Sequence, residues 1–110
     1  MVVDELAEAN VDRIFHALAD ATRRDILAQV MRDEQSVSKL AQLYPMSFAA
    51  VQKHVAVLER ACLVIKKRRG REQIVHGDVA ALRGAARLLD AYEEIWRHRH
   101  GSITQILAED

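Results

Sequence analysis

Basic side chains are concentrated in one part of the chain. Between Lys53 and Glu72 there are seven lysines and arginines against two glutamates, which leaves an excess of five positive charges. The formal net charge of the whole chain is zero. A neutral protein with one strongly basic segment presents a local anion-binding face, and a nucleic-acid backbone suits such a face. Taken alone, the segment is equally consistent with a solvated run of charge.

Side chains able to contact DNA bases lie just before and at the start of this segment. Helical spacing predicts an outward face made of Ser47, Phe48, Ala49, Gln52 and Lys53. Gln52 can bond N6 and N7 of adenine, and Lys53 can reach guanine or a phosphate. His54 lies between the outward and inward faces. We favour a structural or phosphate-contacting role for it over metal binding, because no second ligand follows at i+3 or i+4.

A basic hairpin is predicted directly after this helix. Residues 63–76 contain a β-branched run, a row of bases, Gly70 and a second apolar run, which indicates two strands with Arg69-Gly70 at the tip. Five bases on it can neutralise phosphates: Lys66, Lys67, Arg68, Arg69 and Arg71. Arg69 or Arg71 can also enter a narrow minor groove. The alternative is that these charges only keep a strand edge soluble.

The elements that position these side chains are mostly helices. Apolar spacing predicts a first helix over residues 4–19 and a second, capped by Asp20, that ends near Arg32. Thr22, Arg23 and Arg24 open the second helix, where they serve in capping and surface pairing or contact a phosphate. Ser36 caps a third helix to about residue 44, and only Pro45-Met46 separates it from the cap of the fourth. Residues 36–61 therefore match a helix-turn-helix.

A long helix capped by Asp78 is predicted to end the chain, with a break or bend at Gly101-Ser102. The apolar residues of the two terminal segments, 1–19 and 78–108, predict a homodimer interface. Its members are Val11, Ile14, Phe15, Leu88, Leu89, Tyr92, Ile95 and Trp96. The alternative is that this stripe packs on its own domain.

Length and composition bound the remaining possibilities. A chain of 110 residues fits one mainly α domain with a small two-stranded β-wing. No apolar run reaches the roughly 20 residues of a membrane span, and no signal peptide is evident. The single cysteine, Cys62, fits a reducing cytoplasm. Neither a nucleophile triad nor a phosphate-binding glycine loop is present, so an enzyme is not expected.

Three stretches together resemble the ArsR/SmtB family of bacterial winged-helix repressors. Residues 15–27 resemble the family's junction of its first two helices, residues 36–41 with 47–58 its helix-turn-helix, and residues 63–64 with 68–71 its wing. The resemblance implies a homodimer that binds an imperfect inverted repeat of double-stranded DNA. It also implies repression that is relieved by a metal or another signal.

Several positions depart from the family pattern. Ala21 stands where many members have proline, and Cys62 stands where the recognition helix usually ends in glycine, which suits a left-handed cap. The third helix lacks the family's metal-binding cysteines, so we expect no metal cofactor. A zinc-type site on the last helix is disfavoured, although acids and histidines are present there: Asp90, Glu93, Glu94, His98 and His100. Cys62 is more readily an apolar filler than a redox sensor.

Sequence-specific DNA binding, with repression by a homodimer, is therefore the function that the sequence favours. A winged-helix module that docks another protein without binding DNA is the alternative from a different class, and a metal-responsive repressor is the alternative within the family. DNA binding that weakens steeply with salt would separate the regulator from the docking module.

Overall fold

The computed structural model describes residues 2–108, and the side chains of residues 10–99. Over this range the chain forms five helices and three strands. In chain order they are α1 (Val2–Leu18), α2 (Ala21–Arg32), β1 (Gln35–Ser36), α3 (Val37–Gln42), α4 (Phe48–Arg60), β2 (Val64–Arg69), β3 (Glu72–Gly77) and α5 (Val79–Ala108). The predicted fold class, mainly helical with a small antiparallel sheet after a helix-turn-helix, is confirmed.

Four side chains cap the helices as predicted. The side-chain oxygens of Asp20, Ser36 and Ser47 each accept a hydrogen bond from the backbone N–H three residues later, at 3.0–3.1 Å. Asp78 accepts from the N–H of Ala80 at 3.0 Å. Each cap satisfies a donor that the first helical turn leaves unpaired, which is worth about 1 kcal/mol. The caps therefore fix where α2 to α5 begin.

The sheet has three strands, whereas the sequence predicted two. The third is β1, whose Gln35 pairs with Val75 and whose Ser36 pairs with Ile74, giving the order β1-β3-β2. β1 has only two residues, and Ser36 also caps α3, so no periodic pattern could indicate a strand there. Pairing with β1 anchors the hairpin to the loop that follows α2.

Two predicted helix ends were wrong. α3 ends at Gln42, two residues before the predicted end, so residues 43–47 connect it to α4. α5 continues through Gly101 and Ser102 without the predicted break. A single glycine costs a helix only about 1 kcal/mol, which the neighbouring turns of a long helix can offset.

The core lies between the helix-turn-helix and the sheet. Ile14, Leu40, Val51, Leu58 and Leu63 are each at most 1% exposed and belong to one buried cluster. Truncation of one such leucine to alanine typically costs about 2–5 kcal/mol. α4 is thus packed firmly against the body of the domain.

The second half of α5 projects from this body. Ala85 is buried, but every described side chain from Leu89 to Arg99 is exposed. The radius of gyration is 18.8 Å, well above the roughly 13 Å of a compact domain of this size. None of the helices within the described residues is long and apolar enough to cross a membrane.

Candidate nucleic-acid interface

α4, which we call the recognition helix, has one buried face and one exposed face. Val51, Val55 and Leu58 are 0% exposed and pack the helix onto the body. Residues at the opposite face and at the N-terminal end are exposed: Ser47, Phe48, Ala49, Gln52 and Lys53. A helix of this kind can enter the major groove with its N-terminal turns leading. The exposed set is the one that the sequence predicted to face outward.

The turn that leads into the recognition helix is tied to α2. The hydroxyl of Tyr44 donates a hydrogen bond to Asp25 Oδ2 at 2.6 Å. Partial burial of Tyr44, and to a smaller extent its hydrogen bond to Asp25, raises the pKa of the hydroxyl above its ordinary value of 10. The N–H of Met46 donates to the carbonyl of Tyr44 at 2.9 Å, which tightens the turn after α3. The Tyr44–Asp25 contact was not predicted from the sequence, because it joins the turn after α3 to a residue of α2 that lies 19 positions earlier.

His54 lies at the junction of three helices, with its side chain 21% exposed. Its Nδ1 is 3.4 Å from Nη1 of Arg23 and 3.9 Å from Oδ2 of Asp20. The backbone N–H of Arg23, and then the charges of Arg23 and His54, lower the pKa of Asp20. His54 thus lies beside Arg23 and Asp20, and whether it acts in structure or contacts a phosphate remains a prediction.

Arg23 and Arg24 hold the end of α1. Arg23 donates to the carbonyls of Ala17 and His16 at 2.8 and 3.0 Å, and Arg24 donates to that of Leu18 at 2.7 Å. The carbonyls of Ala17 and Leu18 have no partner within their own helix, and that of His16 also accepts from the backbone N–H of Ala19 at 3.2 Å. Both guanidinium groups are therefore engaged in structure, and the phosphate contact considered for them has no support here.

The end of the recognition helix is a left-handed cap made by Cys62. Cys62 has φ +62°, and its N–H donates to the Glu59 carbonyl at 2.9 Å. The N–H of Leu63 donates to the Leu58 carbonyl at 3.0 Å, which completes a Schellman motif. Cys62, which stands where the family pattern has glycine, therefore holds a strained backbone conformation that favours glycine.

The hairpin of β2 and β3, which we call the wing, carries the predicted bases. Arg69 pairs with Glu72 in the register, so the turn residues are Gly70 and Arg71. The predicted tip was therefore one residue too early. Gly70 has φ +66°, and a positive φ at the first of two turn residues suits a tight hairpin. Lys67, Arg68 and Arg71 are exposed and unpaired with any carboxylate among residues 10–99.

The other two wing bases are paired. Lys66 Nζ lies 3.5 Å from Oε1 of Glu59, which links β2 to the recognition helix. Arg69 donates to both carboxylate oxygens of Glu34, at 2.8 and 3.5 Å. Glu34 Oε2 also lies 3.0 Å from Nδ1 of His76. Glu34 was missed because it lies 35 residues from Arg69, and only its place beside β1 brings the two together.

The residues predicted to form a dimer interface divide into two groups. Ile14 is 1% exposed inside the core of its own chain and so has no surface to offer a second copy; Val11 and Leu88 are half-buried. The remaining five are exposed apolar side chains: Phe15, Leu89, Tyr92, Ile95 and Trp96. The last four follow one another along the projecting half of α5 at helical spacing.

The acids and histidines of α5 do not converge. Glu93 and Glu94 both pair with Arg97. Within residues 10–99 no three His, Cys, Asp or Glu side chains are grouped so that they could hold a metal ion. The side chain of His100 lies outside the described residues.

A groove of about 440 Å³ beside Glu94, Ile95, His98 and Arg99 is lined almost entirely by apolar surface.

No protein-family model matches the chain. Comparisons with curated proteins and with solved structures both identify transcriptional regulators as similar. The HTH-type transcriptional regulator Rv2034 of Mycobacterium tuberculosis is 35% identical over 81 residues, which cover 74% of this chain and 76% of that protein. The ArsR-like transcriptional regulator from Rhodococcus sp. RHA1 has a TM-score of 0.80 at 35% identity, over 93% of this chain and 94% of that chain. The homodimeric winged helix-turn-helix domain of Mb0332 from Mycobacterium bovis shares the fold, with a TM-score of 0.64 at 24% identity over 78% of this chain and 81% of that chain.

An exposed recognition helix followed by a basic wing defines a winged helix-turn-helix DNA-binding protein. The alignment with the Rhodococcus regulator covers nearly all of both chains, so the similarity identifies the family of DNA-binding proteins and not only the fold. The chain belongs to the ArsR family of transcriptional regulators. Its relatives are regulators and not enzymes, as the sequence analysis expected.

Proposed function

We propose that this regulator is a homodimeric repressor that binds an inverted-repeat operator. One observation carries the proposal: the N-terminal turns of the recognition helix expose Phe48, Ala49, Gln52 and Lys53, while Val51 and Val55 are fully buried. A rigid helix with this division can lie in the major groove without any change in the body. Gln52 then reads adenine, and Lys53 contacts guanine or a phosphate.

The wing supplies contacts that do not depend on sequence. Lys67, Arg68 and Arg71 are exposed and free of ion pairs among the described side chains, so each can neutralise a phosphate without first breaking an ion pair. Arg69, by contrast, has to break its ion pair with Glu34 before it can contact a phosphate. Phosphate contacts fix the register of the protein on the duplex, and the recognition helix supplies the specificity.

A second copy would cover the projecting half of α5. Leu89, Tyr92 and Ile95 are 54–67% exposed, which is more apolar surface than a monomer normally leaves in one stripe. Two-fold pairing through this stripe, with Phe15 of α1 beside it, would place the two recognition helices about 34–36 Å apart. Half-sites related by a two-fold axis are then the expected target.

Repression follows most simply from occupancy, because a dimer bound across one to two turns of DNA excludes polymerase from an overlapping promoter. Such a protein would act in the cytoplasm. α3 has no cysteine, so we propose an effector other than a thiolate-bound metal.

Selection of bound sequences from random duplex DNA tests the proposal. We expect the wild type to enrich an inverted repeat, and Gln52→Ala and Lys53→Ala to lose affinity for it by about five- to one-hundred-fold while keeping the fold. Arg83→Ala, which removes an exposed base from α5, is the matched control and should bind like the wild type. Enrichment of no sequence, or equal affinity in all four proteins, would contradict the proposal.

A further inference from the structure

An aromatic ring stands exposed at the leading end of the recognition helix. Phe48 is the first residue of α4 and is 47% exposed. Leu43, at the end of α3, is also exposed, at 53%. Ala49, the next residue, is exposed as well. The tip of the helix therefore offers apolar surface where a base-reading helix usually offers hydrogen-bonding groups.

The position of the ring relative to Gln52 limits what it can contact. Residues four apart share one face of a helix, so Phe48 and Gln52 lie in one row, and Ala49 and Lys53 lie in the next. All four side chains are exposed. A helix that inserts Gln52 among the bases therefore brings Phe48 to the same groove, about one helical turn away.

The C5-methyl of thymine is the only methyl group on the floor of the major groove. The C5–H of cytosine offers much less apolar surface, and the polar groups of the bases there are hydrogen-bond donors or acceptors, which a phenyl ring cannot satisfy. We propose that Phe48 packs on the C5-methyl of a thymine in each half-site, next to the base read by Gln52. This inference rests on the proposed DNA-binding function and adds the base, and the atom, that the ring recognises.

A duplex in which single thymines are replaced by uracil provides the test, because uracil lacks the methyl group and keeps every hydrogen-bonding group of thymine. With the selected operator as probe, we expect replacement at one position per half-site to weaken wild-type binding about four-fold, the effect of losing one buried methyl. Phe48→Ala should bind the thymine and uracil duplexes equally. Phe48→Leu, which keeps an apolar side chain, should retain most of the preference.

The controls separate this inference from the proposed function. Lys53→Ala should bind more weakly but keep the wild-type ratio between thymine and uracil duplexes. A thymine-to-uracil ratio near one at every position for the wild type, or the same ratio in wild type and Phe48→Ala, would overturn the role of Phe48 while leaving DNA binding intact. Absence of binding to any duplex would instead overturn the proposed function, and this inference with it.

Discussion

Arg69 on the wing forms a two-point ion pair with Glu34 in the loop before β1. The distances are 2.8 Å from Nη1 to Oε1 and 3.5 Å from Nη2 to Oε2. The Glu34 carboxylate is also 3.0 Å from Nδ1 of His76 on β3, so it joins both strands of the wing to the loop after α2. In the absence of DNA, Glu34 is therefore paired with the guanidinium of Arg69, which the sequence analysis predicted to contact DNA.

Removal of this carboxylate should strengthen DNA binding. In Glu34→Gln, Arg69 loses a charged partner, and one negative charge leaves the wing surface. Because exposed ion pairs of this kind are weak, we expect affinity for DNA to rise only about two- to five-fold at moderate salt. Fluorescence anisotropy with a labelled duplex measures this. Glu93→Gln, which removes a paired carboxylate from α5, should change nothing, and weaker binding by Glu34→Gln would refute the competition.

The same ion pair should make the free energy of unfolding depend on pH in the acid range. The hydrogen bond from Arg69 lowers the pKa of Glu34 below its ordinary value of 4.5. A depressed folded-state pKa contributes stability that is present above pH 4.5 and is lost as the pH falls through the folded value. Melting temperatures measured between neutral pH and the acid range should therefore decline more steeply for the wild type than for Glu34→Gln. Parallel curves would show that the pair has no energetic effect.

Glycine at position 62 should stabilise the fold. Cys62 has φ +62° in the Schellman motif that ends the recognition helix. For a non-glycine residue this conformation costs about 1–2 kcal/mol. The gain from introducing glycine is partly offset by its greater conformational freedom in the unfolded chain. We expect Cys62→Gly to gain about 0.5–1 kcal/mol in urea unfolding. Cys62→Ala, which removes the thiol but keeps the strain, is the control and should not be the more stable of the two variants.

Charge placed on the projecting half of α5 should dissociate the dimer. Ile95 is 67% exposed in one chain and lies within the proposed interface. Ile95→Asp would place an unpaired carboxylate in an apolar contact, which costs several kcal/mol. Sedimentation should give the mass of two chains for the wild type and of one for the variant. Gln73→Asp adds the same charge to the exposed wing and should stay dimeric; a monomeric wild type would contradict this part of the account.

Local signals in the sequence predicted most of the fold. Ser47 and Asp78 could be recognised as caps because a cap acts on the N–H groups of the residues that follow it. Gly70 marked the hairpin because a turn needs a positive φ, although its position in the turn was assigned one residue wrongly. These features depend on a few neighbouring residues and can be read without knowledge of the rest of the chain.

Contacts between distant residues could not be predicted in the same way. Strand β1 is two residues long and forms only because β3 is available beside it. The partners of Arg69 and Arg23 lie on other elements, so a base that looked free to bind phosphate turned out to be paired. The burial of Ile14 likewise depends on packing that helical periodicity alone does not distinguish from a dimer face.

The most direct test of the central claim is to map where the recognition helix lies on the operator. In a Cys62→Ala background, a cleavage reagent can be attached to the exposed tip through Ala49→Cys, with Ala86→Cys on α5 as the control. We expect strand cleavage at two places, centred about 10 base pairs apart, one in each half of the inverted repeat, from position 49 only. Cleavage that is equally strong from position 86, or absent from both half-sites, would contradict it.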